Sequence, residues 1–334
     1  MQELKFGNVR ARPGQRSVGS LTVGELDQLS FARGQIELPL IVANGRHDGP
    51  TMLLLGGQHS GEYVGMEAII AVSERLDLEA LRGAVVGIPI MNTYGFAAKV
   101  PYICPLDNLN MNRLWPGTSG GTVGQRITYT VWNQVMTHVD YLIDMHGGDF
   151  PEHQADYAIC MATGDPDLDA ASEAMARHSG FAYIRRSPPH EGDAPTGPSA
   201  RMFMKLLRKP AIVSEAGDAG IMDPHRTEQA IKGVENVLRL LSMLPGDPEP
   251  PPQAQRAMIS RTPLLSPVHG ICRLDVTIYD EVKRGQKVAS IVDYCGTSVA
   301  DLESPCNGVV VQTFYQSATN RGDIVMKIAE VQPV

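Results

Sequence analysis

One stretch, residues 53–62, constrains the fold of this chain more than any other. It reads Leu-Leu-Leu-Gly-Gly-Gln-His-Ser-Gly-Glu, so an apolar run ends in two glycines before a histidine and a glutamate. This pattern predicts a buried strand, a tight turn and a helix over 62–76. His59 would lie on the turn and Glu62 on the first helical turn, so both could reach one metal ion. An imidazole and a carboxylate are ordinary zinc ligands, and a catalytic zinc site takes three protein ligands.

Two later apolar runs also deliver a ligand-type side chain beside glycine. Tyr-Leu-Ile-Asp-Met leads to His146 and two glycines, and Ala-Ile-Val-Ser leads to Glu215. Apolar runs that alternate with helical segments predict an α/β fold, with a mostly parallel sheet covered by helices on both faces. In such sheets, ligands bind at the carboxyl ends of the strands. We therefore expect a metal site at that edge, built from His59, Glu62, His146 and Glu215.

The remaining patterns predict the elements around this edge. The first 50 residues are expected to be rich in β-structure. Further strands are predicted at 36–42, 52–55, 84–91 and 156–161, and helices at 122–138, 166–179, 201–207 and 225–244. Segments rich in Pro, Gly or Asn at 92–121 and 185–199 predict loops, and long loops in compact domains are usually functional or disordered.

A proline-rich segment separates two parts of the chain that have different sequence patterns. Residues 246–255 predict a semi-rigid linker between a catalytic domain over 1–245, with the β-rich segment 1–50 included, and an all-β domain over 256–334. The second domain has short strands and turn signals, and it resembles the biotinyl/lipoyl-type barrel-sandwich fold. It has no modifiable lysine between Ser290 and Leu302, so a carrier role is not expected. A structural cap or an oligomerisation element is the prediction, and we expect a homo-oligomer.

The charge and the cysteines argue against several classes of protein. A formal net charge of −8 disfavours a general binder of nucleic acid or of membrane surfaces. The five cysteines are odd in number and scattered, so no disulfide framework is implied. The N-terminus has no apolar signal core, and no apolar run approaches the ~20 residues of a membrane span. These features predict a cytoplasmic protein.

Four separate motifs resemble one known group of enzymes. They are Gly-Gln-His-Ser-Gly-Glu at 57–62, Asn112-Arg113 before Pro-Gly, Asp-Met-His-Gly-Gly at 144–148, and Glu-Ala-Gly at 215–217. Their order and spacing resemble the succinylglutamate desuccinylase/aspartoacylase family, a branch of the zinc carboxypeptidase superfamily. Within it, the N-acetyl-diaminobutyrate deacetylases are a plausible subgroup. The resemblance implies a zinc-carboxypeptidase-like sheet in the catalytic domain.

The resemblance also implies a role for each motif residue. It makes one Zn²⁺ per chain the cofactor, with its ligands His59, Glu62 and His146, the substrate carboxylate bound by Asn112 and Arg113, and the general base Glu215. The chemistry agrees, because zinc lowers the pKa of bound water toward ~7 and a nearby carboxylate can take its proton. An arginine has the planar fork suited to a carboxylate.

Asp144 and one missing arginine leave alternatives open. Asp144 resembles a carboxylate that orients a ligating imidazole, and a partner for a nearby backbone amide is the other interpretation. Family members often carry an arginine about ten residues before the Asn-Arg pair, where it polarises the scissile carbonyl. Here that neighbourhood reads Lys-Val-Pro-Tyr-Ile. The candidates to replace it are Lys99, Tyr102, Arg126, Arg185, Arg186 and Arg201.

The sequence therefore predicts a cytoplasmic zinc amidohydrolase. It would remove a small acyl group from an N-acyl amino acid through attack of a zinc-activated water. A zinc carboxypeptidase acting on peptide C-termini and a non-catalytic metal-binding protein are the alternatives. The expected partner is a small-molecule substrate, and neither nucleic acid nor a membrane is expected.

Overall fold

The computed structural model of the chain describes residues 2–29, 32–188, 194–250 and 254–334. The strands before residue 250 are β1 (Leu4–Phe6), β2 (Val9–Ala11), β3 (Gln15–Leu29), β4 (Ala32–Asn44), β5 (His47–Gly56), β6 (Arg82–Ile88), β7 (Tyr141–His146), β8 (Glu152–Gln154), β9 (Tyr157–Met161), β10 (Tyr183–Ser187) and β11 (Ala211–Glu215). The helices are α1 (Tyr63–Arg75), α2 (Thr93–Ala98), α3 (Val123–Gln134), α4 (Pro166–His178), α5 (Ser199–Met202) and α6 (Pro224–Leu240).

The strands after residue 254 are short and form most of the C-terminal part. They are β12 (Arg256–Met258), β13 (Thr262–Leu265), β14 (Gly270–Leu274), β15 (Glu281–Val282), β16 (Lys287–Val292), β17 (Ser298–Glu303), β18 (Gly308–Phe314), β19 (Ala318–Thr319), β20 (Ile324–Ala329) and β21 (Val331–Pro333). No helix interrupts them within the residues that the structure describes there. The prediction of an all-β C-terminal part is confirmed.

A ten-stranded main sheet organises the described chain, in the order β21-β12-β10-β9-β11-β7-β5-β6-β4-β3. Its centre is parallel, because β6, β5, β7 and β11 run in one direction with their carboxyl ends at one edge. The pairs β9–β11, β4–β6, β3–β4 and β12–β21 are antiparallel. The sheet is thus mixed around a parallel centre, and that centre carries the strands predicted to deliver ligands.

Each face of the main sheet packs against its own hydrophobic core, since side chains alternate along a strand. In β7, Ile143 and Met145 pack on the face covered by α1, α4 and α6. Leu142 packs on the opposite face, which is covered by α3 and by residues of β18 and β20. By the same alternation, Asp144 and His146 project toward this second face. The predicted α/β fold with helices on both faces is confirmed.

The C-terminal strands pair through their backbones with strands from the first 250 residues. They form two antiparallel sheets, β13-β20-β18-β15 and β17-β16-β14-β19, around a separate apolar core. Strands β12 and β21 nevertheless extend the main sheet next to β10, and β8 adds to β18. The C-terminal part is therefore attached along strand edges as well as through the segment after α6.

Several predicted boundaries are wrong, each for a local reason. Helix α1 begins at Tyr63, because Glu62 is its N-cap residue with non-helical backbone angles. Helix α3 begins after Thr122, which forms a capping box with Gln125, and it ends at residue 134 before a short 3₁₀ turn. Helix α6 ends at residue 240, where Ser242 takes a positive φ of 55°.

The two predicted loops also contain regular structure. Helix α2 lies within 92–121, and β10 occupies the start of the segment 185–199. Strand β10 has adjacent arginines, so its composition does not favour a strand, but β9 and β12 satisfy its backbone on both sides. Residues 189–193 of that predicted loop and 251–253 of the predicted linker lie outside the described residues.

Among the described residues, no helix is both long and apolar enough to cross a bilayer.

Candidate metal centre and catalytic site

The turn after β5 positions His59. Gly57 has a φ of +64°, and a Cβ atom there would lie 2.8 Å from the backbone of Ile90, so only glycine fits this turn. The chain then reaches His59 and, at the N-cap of α1, Glu62. Both side chains are buried. The glycine pair that the sequence pattern marked as a turn thus aims the first two candidate ligands at one point.

His146 joins these two residues from the end of β7. One oxygen of Glu62 lies 2.8 Å from Nδ1 of His59, and the other lies 2.8 Å from Nδ1 of His146. The three side chains offer one ligand atom each within 4.8 Å of one another. Two imidazoles and a carboxylate are a donor set that Zn²⁺ favours. The structure therefore brings the three predicted ligands together as a group that could hold a metal ion.

The charges in this cluster are strongly coupled. Burial alone would raise the pKa of Glu62, but the two imidazoles outweigh it and lower the pKa to about 2. Burial alone would lower the pKa of both histidines. The carboxylates of Asp144 and Glu62 outweigh burial at His146, and that of Glu62 does so at His59, so both values rise. Any cation that binds here must displace protons from the imidazoles.

A layer of buried polar groups surrounds the second imidazole. Oδ2 of Asp144 lies 3.1 Å from Nε2 of His146, the nitrogen that faces away from Glu62. Asp144 also accepts hydrogen bonds from Nε2 of Gln58, at 2.8 Å, and from the hydroxyl of Ser199. Asp144 thus contacts the imidazole itself, which is the contact expected of a carboxylate that orients a ligand.

Gln58 and Ser199 were not singled out from the sequence. Gln58 is fully buried, and its carbonyl oxygen accepts a hydrogen bond of 2.8 Å from Nε1 of Trp115. Ser199 begins α5 and donates its backbone N–H to Oδ1 of Asn112, at 2.9 Å. The sequence signal for Gln58 was its place between Gly57 and His59, where a buried amide needs several partners.

The two residues expected to bind the substrate carboxylate lie in different environments. Asn112 is buried, and its Nδ2 lies 3.1 Å from Nε2 of His146. Arg113 is exposed and donates through Nη1 to the backbone oxygen of Asn112, at 2.7 Å. The structure therefore brings Asn112 into the ligand cluster and leaves the Arg113 guanidinium beside it at the surface.

Of the candidates to replace the missing arginine, Tyr102 is the one that contacts a ligand. Its ring lies edge-on to the ring of His59, with 5.7 Å between the centroids. Burial, together with nearby carboxylates, raises the pKa of Tyr102, so its hydroxyl stays a neutral donor. Lys99 is exposed at the end of α2. Arg126 and Arg186 are bound to groups elsewhere, and Arg201 donates to Ser187 at 2.6 Å.

Glu215 lies at the end of β11, between the two strands that flank it. In the sheet register it is level with His146 on β7 and with Tyr157 on β9. Its Oε2 accepts a hydrogen bond of 3.0 Å from Nε2 of Gln154. Burial is the main cause that raises the pKa of Glu215 to about 7, and the carboxylates of Glu62 and Glu152 add to it. A carboxylate with such a pKa can exchange a proton near neutral pH.

Comparison with known proteins assigns this arrangement to a family. Residues 48–241 match the model of the succinylglutamate desuccinylase/aspartoacylase catalytic domain, and this range is more than half of the chain. The chain belongs to that family. The match spans the four motifs on which the resemblance was based, and the predicted family is confirmed.

Relatives of this desuccinylase/aspartoacylase family member match along almost its whole length. A curated relative, the N-alpha-acetyl-L-2,4-diaminobutyric acid deacetylase of Halomonas elongata, is 27% identical over 90% of this chain and 87% of its own. The product-bound structure of an ectoine utilization protein from Ruegeria pomeroyi has a TM-score of 0.83 at 21% identity, covering 95% of each chain. A succinylglutamate desuccinylase structure from Silicibacter sp. TM1040 has a TM-score of 0.84 at 22% identity, covering 98% and 100%.

These structural similarities support the fold, and the family match supports the enzyme class. The names of the relatives are those of deacetylases, desuccinylases and aspartoacylases, which hydrolyse amide bonds. The chain is an enzyme of this class, as the sequence predicted.

Proposed function

We propose that this enzyme is a zinc-dependent amidohydrolase that removes a small acyl group from an N-acyl amino acid. The observation that carries the proposal is the convergence of His59, Glu62 and His146 beside a carboxylate, Glu215, whose pKa is about 7. The Halomonas relative, named for an N-acetylated amino acid, supports the substrate class. We extend the proposal to a cytoplasmic location.

The metal is proposed as Zn²⁺ because of the donor chemistry. Two imidazole nitrogens and one carboxylate match the ligand sets of catalytic zinc sites. His59, Glu62 and His146 would hold the ion, and Asp144 would fix the orientation of His146. When bound, zinc acts as a Lewis acid and lowers the pKa of water toward ~7.

Glu215 is proposed as the general base. Its Oε2 is occupied by the hydrogen bond from Gln154, so Oε1 is the oxygen that takes the proton of the attacking water. The same carboxylate then delivers the proton to the nitrogen of the leaving amino acid. Because its pKa is about 7, transfer in either direction is close to balanced at neutral pH.

Substrate contacts are proposed for three residues around the ligand cluster. Tyr102, whose ring lies edge-on to that of His59 and whose hydroxyl is neutral, is our candidate to polarise the scissile carbonyl. Asn112 and Arg113 are our candidates for the substrate carboxylate. The contact of Arg113 with the backbone of Asn112 occupies Nη1 and leaves Nη2 and Nε to pair with a carboxylate.

The test combines metal analysis with a substrate screen. Zinc-loaded protein is incubated with a panel of N-acyl amino acids, and the released amines are identified. Wild type should hold one zinc per chain, and His59→Ala and His146→Ala should lose it. His138→Ala is the matched control, because that histidine is exposed and belongs to none of the four motifs. Zinc retained in both ligand variants, or no amine released from any substrate by wild type, would overturn the proposal.

A further inference from the structure

The catalytic base contacts a strand that belongs, by its pairing, to the C-terminal sheet. Strand β8 follows the loop after His146 and pairs with β18, with Gln154 opposite Gln312 and Glu152 opposite Phe314. Backbone hydrogen bonds continue this pairing on both sides, from the N–H of residue 155 to the oxygen of 311 and from the N–H of 315 to the oxygen of 151. The position of β8 is therefore set by a part of the chain some 160 residues away.

Gln154 is held firmly and donates to the base. It is buried, with 3% of its surface exposed. Its backbone N–H donates to Asp218 at 3.2 Å, and its backbone oxygen accepts from Arg226 at 3.2 Å. With its main chain fixed in this way, the side chain donates Nε2 to Oε2 of Glu215 at 3.0 Å. Within the described residues, this is the side-chain hydrogen bond that Glu215 receives.

Gln312 links β8 to β9, the strand that lies beside Glu215. It is fully buried, donates Nε2 to Glu152 at 2.6 Å and accepts from Nη2 of Arg261 at 2.8 Å. Arg261 in turn donates Nη1 to the hydroxyl of Tyr157 at 3.0 Å. The bonds from Gln312 therefore reach β8, which carries Gln154, and, through Arg261, the residue of β9 that is level with Glu215.

The position of Lys327 indicates that Gln312 projects toward Glu215. It lies opposite Gln312 in the pair β18–β20, and residues directly opposite in an antiparallel pair project to the same face. Burial and the nearby Arg261 lower the pKa of Lys327 to about 8, while Glu152 and Glu215 act in the other direction. A side chain on β20 thus lies within electrostatic reach of the catalytic carboxylate.

We propose that Gln154 is a positioning residue for Glu215 and that the C-terminal sheet, through Gln312, holds it in place. This assignment rests on the proposed role of Glu215 and deepens it. The carboxylate can rotate about its terminal bonds unless one oxygen is fixed. The Gln154 amide fixes Oε2 and so keeps Oε1 available for the proton. The C-terminal part is, on this view, a component of the catalytic apparatus in addition to any role as a cap.

The test compares methionine substitutions, which keep the length of glutamine and remove its hydrogen bonds. In zinc-loaded protein, Gln154→Met should lower kcat about tenfold to a hundredfold, the range for one hydrogen bond to a charged group. KM should change little, because Gln154 does not touch the substrate in this scheme. Gln312→Met should cause a smaller loss in the same parameter. Gln316→Met is the control, since Gln316 is an exposed glutamine in the same part of the chain and should match wild type.

Two readouts separate positioning from a merely structural effect. Zinc content should stay at the wild-type value in Gln154→Met, and its Tm, although lowered by the lost hydrogen bond, should stay above the assay temperature. In a Glu215→Gln background, Gln154→Met should cause no further loss of kcat. The glutamine at position 215 accepts no proton, so its orientation does not affect the rate. If Gln154→Met does not fold, the same comparison is made with Gln312→Met.

The outcomes are distinguishable from failure of the proposed function. If wild type hydrolyses no N-acyl amino acid, the proposed function falls, and the positioning role falls with it. If wild type is active and Gln154→Met keeps kcat within threefold of it, the positioning role alone is overturned. A loss of kcat that is equally large in the Glu215→Gln background would also overturn it, since the residue would then act independently of the base.

Discussion

Replacing Glu215 with glutamine should make the protein inactive and more stable at the same time. The amide is almost isosteric with the carboxylate, and its oxygen can still accept the hydrogen bond from Gln154. The substitution therefore removes a charge and a proton acceptor and keeps the packing. Loss of the proposed general base should lower kcat by about 10²–10⁴-fold.

The gain in stability follows from the pKa of the carboxylate. Burial, with the neighbouring carboxylates, raises the pKa of Glu215 from 4.5 to about 7, so the folded state holds this proton more tightly than the unfolded chain does. The protonated carboxyl of Glu215 therefore makes its full contribution to the free energy of unfolding below about pH 4.5. This contribution is lost as the pH rises to about 7. At about 1.4 kcal/mol for each pH unit, the ionised carboxylate destabilises the metal-free fold by up to about 3 kcal/mol. Glutamine does not ionise and avoids this loss.

The assay is urea unfolding of wild type and Glu215→Gln in the presence of a chelator. The free energies of unfolding should agree at about pH 4.5, and the variant should be more stable by about 3 kcal/mol at about pH 8. Glu303→Gln is the control. Glu303 is exposed, so its substitution should leave the free energy of unfolding unchanged at both pH values. A stability difference that does not depend on pH, or a wild type more stable at pH 8, would refute the reasoning.

Three further predictions concern catalysis and metal binding. If the ionised form of Glu215 is the base, as proposed, kcat/KM should fall about tenfold per pH unit as the pH drops below about 7, and a profile that stays flat to pH 5 would contradict this. Asp144→Asn should weaken zinc binding about 10–100-fold in a chelator competition, since the amide is a poorer partner for His146, and an unchanged affinity would show that the contact is incidental. If Arg113 binds the substrate carboxylate, Arg113→Ala should lose the preference of wild type for an N-acyl amino acid over its carboxamide, measured as the ratio of kcat/KM values. A wild type that hydrolyses both forms equally would leave Arg113 without this role.

Much of the fold could be predicted because its central strands are unusually apolar. The runs before Gly56, His146 and Glu215 are buried on both faces, so they stand out in the sequence as continuous hydrophobic segments. Parallel strands place their carboxyl ends at one edge, and this rule alone predicted that residues far apart in sequence would meet. The same rule does not apply to Gln154 or Ser199, since neither follows such a run.

The errors occur where neighbouring strands override local composition. The composition of 185–199 predicts a loop, but its first three residues belong to β10, because a strand that is hydrogen-bonded on both sides needs little apolar character of its own. The division predicted after residue 245 relies on composition alone, and it stays a prediction. The pairing of β8 with β18, and of β12 with β10, joins strands that are far apart in the sequence, so local composition does not reveal it.

By itself, the sequence determined the α/β class, the family and the three side chains that meet as a candidate metal site. Strand periodicity and glycine turns are local properties, and a local pattern is sufficient to encode them. Only the tertiary structure decided which further polar groups complete the site: Gln58 and Ser199 donate to Asp144, and Gln154 donates to Glu215. Each of those contacts joins segments that are adjacent only in the packed sheet, where burial makes an unsatisfied polar group costly and so selects its partner.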